Sequence, residues 1–168
     1  MDGALNGALY NTAVGYAAGQ GGSANLTDSI IIGSEAASNT GTNTQTGIMA
    51  IGYQALTALT TGAGNLAIGY QALLTHTTGG QNIAIGYGAM DDTDAGSTSL
   101  GSTDNIFIGM NTGGGTWTDV ASSHNTGIGN FVMDSALAGA AQNVAIGHYA
   151  LSSITTSDGN VAVGANAA

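Results

Sequence analysis

Few residues in this chain could carry chemistry. It has ten carboxylates, three histidines, one tryptophan and no Lys, Arg or Cys. The densest acidic stretch is Asp91-Asp92-Thr93-Asp94-Ala95-Gly96. Hard cations take several oxygens on a tight turn, so Asp92 and Asp94 are the candidate ligands of a structural Ca²⁺, with Gly96 supplying the turn. No Glu follows where a helical calcium loop is completed, and a solvated acidic loop is the plainer reading. Trp117 lies beside Gly113-Gly114-Gly115, with Asp119 and His124 following. An exposed indole on a loop would suit stacking on a sugar or contact with a protein. The alternative is that Trp117 folds back and caps its own coil. Asp119, Ser122, Ser123 and His124 are close in sequence, but a triad is defined by geometry and an oxyanion site, and neither is indicated. No carboxylate pair has a recognisably buried setting for glycoside hydrolysis. His76, His124 and His148 are scattered, and one of them would meet a metal only on a symmetry axis. The chain reads as non-enzymatic and without a cofactor.

Composition narrows the partners. Formal net charge is −10, charged residues make up 6 % and hydrophobic residues 43 %. Without Lys or Arg there is no phosphate clamp, so nucleic acid is excluded as a partner, and so is polybasic contact with anionic lipid. No apolar run reaches the roughly 20 residues of a membrane-spanning helix. No basic segment followed by an apolar one marks a signal peptide. Hydrophobic content is too high for a disordered chain.

The elements that must position these side chains come from a repeat. A β-branched residue precedes Gly at Val14-Gly15, Ile32-Gly33, Ile51-Gly52, Ile68-Gly69, Ile85-Gly86, Ile108-Gly109, Ile128-Gly129, Ile146-Gly147 and Val163-Gly164. Successive glycines are 18, 19, 17, 17, 23, 20, 18 and 17 residues apart. That period is too short for helical-hairpin repeats and suits one coil of a β-solenoid. The expected fold is all-β: a parallel β-roll or β-solenoid of about nine short coils, on the order of 40 Å long at one strand spacing per coil. Residues 1–168 form one repeat domain, with a partial N-terminal coil at 1–10 and loop insertions near 91–103 and 112–124. Leu66 and Ile68 face one side of the strand and Ala67 the other. Tyr70 to Leu73 would form a second strand. Ile51, Ile68, Ile85, Ile108, Ile128 and Ile146 are expected to stack as the core ladder. Asn65, Asn82, Asn105, Asn125, Asn143 and Asn160 would stack as an amide ladder. The alanines between would form a small-residue flank that another chain can approach. A narrow coil with so few charges leaves apolar area on a monomer, which favours a homotrimer packed along the roll axis. The alternative is that every apolar column packs within one chain.

Two further columns bear on binding. Tyr16, Tyr53, Tyr70 and Tyr87 share one repeat position; they form either a carbohydrate-contact face or a seal over the coil corner. Thr60-Thr61, Thr77-Thr78 and Thr155-Thr156 share another, but Asp94-Ala95 and Trp117-Thr118 interrupt that series, which weighs against an ice-binding face.

The segments Asn11-Thr-Ala-Val-Gly-Tyr-Ala-Ala18 and Asn65-Leu-Ala-Ile-Gly-Tyr-Gln-Ala-Leu73, with Thr77-Thr78-Gly79 and Asn82 after the second, resemble the repeat of phage tail fibres and large surface proteins. They are also similar to the head repeat of YadA-like trimeric autotransporter adhesins. The resemblance covers about residues 11–168 and implies a left-handed parallel β-roll wound as a trimer. It implies a structural fibre segment of a tail fibre or bacterial adhesin, located outside the cell or on a virion. Inserted loops would touch a host glycan or protein, with Asp91, Asp92, Asp94, Trp117, Asp119 and His124 as the candidates. The alternative is a self-assembling extracellular filament subunit stacked end to end.

Overall fold

The computed structural model describes residues 9–20, 26–41, 44–93, 101–118 and 120–168. Asp94 and Asp119 lie outside the described residues. The described residues are all-β, with no helix. Eleven strands follow in order: β1 (Thr12–Val14), β2 (Leu26–Thr27), β3 (Ile30–Ile32), β4 (Gln45–Thr46), β5 (Met49–Ile51), β6 (Leu66–Ile68), β7 (Ile83–Ile85), β8 (Ile106–Ile108), β9 (Thr126–Ile128), β10 (Val144–Ile146) and β11 (Val161–Val163). Nine of them stack as one parallel sheet in the order β1-β3-β5-β6-β7-β8-β9-β10-β11, while β2 and β4 pair separately. The nine repeat copies thus supply nine strands that bound about eight turns of a β-solenoid. Register is strict: Ile51 pairs with Ile68, Ile68 with Ile85, Ile85 with Ile108, and Ile108 with Ile128. Insertions of up to six residues are absorbed in the loops without shifting it.

The direction of the strands corrects one expectation. Ile51, Ile68, Ile85, Ile108, Ile128 and Ile146 stack as a ladder, but on the outer face of the sheet, not in the core. Ala67 between them is 0 % exposed, whereas Ile146 is 39 % exposed. Coil width decides this. The opposite wall already fills the narrow interior with Leu56, Leu73, Met90, Met133 and Leu151, all buried, which leaves room for alanine from the sheet. The alanines are therefore core, not an assembly flank.

A second correction concerns Tyr70 to Leu73, which form turns and no strand. Ala72 N–H closes on Gly69 O at 3.5 Å with Gln71 at φ +56°, a left-handed second position as in a type II turn. Leu73 is left-handed too, at φ +53°. Such conformations cost on the order of 1 kcal/mol each in a non-glycine residue. They are offset by bonds to both neighbouring coils: Gln71 N–H to Tyr53 O at 2.9 Å, and Leu73 N–H to Ala89 O at 3.0 Å. The corner itself needs glycine. Gly69 has φ +136°, and a Cβ there would run into the carbonyl of Gly86 in the next coil.

Candidate functional site: the outer sheet face and its aromatic corner

The outer face carries two parallel columns. Met49, Leu66, Ile83, Ile106, Thr126 and Val144 form one, and the six isoleucines form the other. All are partly exposed and none is charged. The face follows from the strand sequences: both outward positions of each three-residue strand are apolar except Thr12 and Thr126, so alternation puts no polar row outside.

Beyond the glycine line lies an aromatic corner. Tyr53 and Tyr70 stack with centroids 5.3 Å apart, and Tyr70 and Tyr87 at 4.9 Å with planes 5° apart. Both faces of Tyr70 are covered, so the stack presents ring edges and hydroxyls. Tyr16 does not join it; Ser34 occupies the intervening coil, and Tyr16 is 77 % exposed. An amide ladder runs alongside, from Gln71 Nε2 to Gln54 Oε1 at 2.9 Å and from Gln54 Nε2 to Glu35 Oε2 at 2.7 Å. Further along, Phe131 stacks on Tyr149 at 5.0 Å, and His148 meets Tyr149 edge-on at 4.3 Å.

The asparagines form a continuous internal ladder. Asn82 Oδ1 accepts from Asn105 N–H and from Asn105 Nδ2, each at 3.1 Å, while Asn105 Nδ2 also donates to Ser122 O at 2.9 Å. The same pattern repeats from Asn65 through Asn125 and Asn143 to Asn160. Each amide thereby satisfies backbone groups that the coil could not otherwise pair.

Of the two readings of Trp117, the structure shows the folded-back one. Trp117 is 1 % exposed, so it offers no stacking surface. Its ring packs edge-on against Phe107 at 5.9 Å, and Nε1 donates to Gly113 O at 3.1 Å. It folds back because Phe107 replaces the usual alanine and an indole covers that larger ring better than water does. His124 stays exposed, with Nε2 3.7 Å from Asp104 Oδ2. His76, His124 and His148 do not come together, and among the described residues no group of three or more His, Asp or Glu is placed to hold a metal ion. Asp92 instead accepts a bond from Thr116 Oγ1 through Oδ2.

Asp91 and Asp134 sit two coils apart and both direct Oδ1 over Gly114, the intervening residue of their column, which has no side chain. Partial burial pushes Asp91 up to about 6, reinforced by the charges of Asp92 and Asp134; burial also raises Asp134. No Lys or Arg exists to neutralise them.

Two residues of this architecture have no signal in the repeat consensus: Asp134, and Gln45, whose Nε2 donates at 2.7 Å to both Thr40 O and Thr60 O where the amide ladder lacks an asparagine. The pairing of Phe107 with Gly113 in its own copy and with Gly127 in the next is the readable sign of a local core rearrangement. Comparison with family models, curated proteins and solved structures gave no match.

Proposed function

We propose that this chain is a structural rod segment of an extracellular or virion-surface fibre, assembled as a homotrimer through the outer face of its nine-stranded sheet. The observation that carries this is the uncharged double column of Met49, Leu66, Ile83 and Ile106 beside Ile51, Ile68, Ile85 and Ile108. With strands about 4.8 Å apart, the face spans roughly 400 Å², a size at which apolar patches mark interaction surfaces. The repeat's resemblance to tail-fibre and adhesin heads supports the same reading. The function is then mechanical: stacked coils, tied by the asparagine ladder, give a stiff spacer that lacks trypsin cleavage sites because it lacks Lys and Arg. Contact with a host glycan or protein falls to the exposed corner and to the loop bearing His124.

Sedimentation equilibrium and electron microscopy of the purified chain test this. Discrete trimers are expected, and Ile68→Glu/Ile85→Glu should yield folded monomers. A wild-type chain that stays monomeric at tens of micromolar would sink the proposal, and open filaments would replace it with end-to-end assembly.

A further inference from the structure

Among the described residues, one titratable side chain lies wholly inside the rod. His76 is 1 % exposed. Its Nδ1 is 3.0 Å from Thr93 Oγ1, and its Nε2 is 3.3 Å from Gly79 O and from Asn82 Nδ2. The two amide hydrogens of Asn82 are directed at Ser102 O, at 2.8 Å, and at Asn65 Oδ1, at 3.2 Å. The bonding pattern therefore assigns the His76 proton to Nε2, donating to Gly79 O, with Nδ1 accepting from the Thr93 hydroxyl. Thr93 belongs to the next coil, so the neutral ring ties its own turn to its neighbour.

Among the described residues, no carboxylate faces the ring. Leu59 is the buried residue of this column in the preceding coil. In the following coil, Asp91 directs its carboxylate to Gly88 and Gly114, and Asp92 bonds to Thr116. Gly79 O and Thr93 Oγ1 can each accept from an imidazolium, but both are neutral groups and neither balances its charge. A buried cation without an anionic partner is costly, so the ring must remain neutral or leave.

We propose that His76 is an acid-operated latch: neutral, it fastens the turn 74–79 to Thr93; protonated, it quits the interior and frees that turn. Desolvation holds its pKa down at about 4 against an ordinary 6.5, only partly countered by the bond to Gly79. The opened turn takes up a proton that the closed one does not between these values. The stability conferred by the latch is therefore complete above pH 6.5 and is lost as pH falls toward 4. Acid would loosen the rod near its middle while leaving the distal coils stacked. This inference does not depend on the fibre reading or on oligomeric state.

NMR and amide exchange on the full chain test it. The His76 ring, assigned through His76→Leu, should remain neutral down to about pH 4. Exchange at 74–79 and at Thr93, corrected for intrinsic rates, should rise on the order of 50-fold between pH 7.5 and 4.5. His76→Leu, which copies Leu59, should abolish that rise. His76→Thr, which copies Thr40 and Thr93, serves the same purpose if the leucine variant does not fold. A His76 ring titrating near 6.5, or an equal rise in the variant, overturns the latch.

Discussion

The coils that carry β6 and β7 and the coil that carries β8 fill the same interior in opposite ways. In the first two, a small residue comes from the sheet and a large one from the opposite wall: Ala67 with Leu73, and Ala84 with Met90. In the third the sheet supplies Phe107 and the wall supplies Gly113, where a Cβ would lie 3.1 Å from the Phe107 ring. The next coil leaves further room with Gly127 on the sheet and restores bulk with Met133. Ile31 with Ala37 follows the same rule. What is conserved from coil to coil is the summed cross-section, not the residue at a position, as close packing of a thin core requires. The asparagine ladder passes through both kinds of coil unchanged.

Five variants break or sharpen this contrast. The largest effect is expected at the feature both coils share: Gly69→Ala drives a methyl into the backbone of Gly86, and denaturant titration should show a loss of at least about 4 kcal/mol or no folded protein. Phe107→Ala should cost about 3–5 kcal/mol by opening a cavity and unseating Trp117, with a matching shift in tryptophan fluorescence. Adding Gly113→Leu should recover a good part of that loss, since Gly113 has φ +61° and Leu73 is accommodated at φ +53°; an unrelieved double variant would refute the compensation rule. Asn105→Ala leaves buried donors and acceptors unpaired on both sides and should cost about 2–3 kcal/mol, whichever kind of coil adjoins it. The smallest effect is at the acidic column over Gly114. Because Asp91 is raised to about 6, its protonation contributes stability that is present at low pH and lost as pH rises through 6. Asp134→Asn should flatten that dependence and stabilise the protein at pH 7.5 by less than about 1 kcal/mol, as expected for half-exposed groups.

Period, parallel stacking and strand register were legible because they rest on residues that cannot be exchanged: glycine where a Cβ would strike the next coil, asparagine where one amide must serve four bonds. The facing of the strands was not legible. With three residues per strand and both faces apolar, alternation fixes two sets but not which set is inside, and only the width set by Leu73 and Met90 decides it. The turns from Tyr70 to Leu73 escaped for another reason: left-handed glutamine and leucine carry no local sequence mark and are held by bonds to other coils. The folded-back Trp117 was legible as one of two readings, and deciding between them requires its partner, Phe107, to be recognised first as a core residue.

The asparagine ladder has a direction. Every carboxamide from Asn65 to Asn143 aims its oxygen at the following coil and receives two N–H bonds there. Their dipoles add head to tail, and bonds in such a chain polarise one another. The solenoid axis is accordingly vectorial: along the ladder, the amino-terminal end is the electropositive one and the carboxy-terminal end the electronegative one.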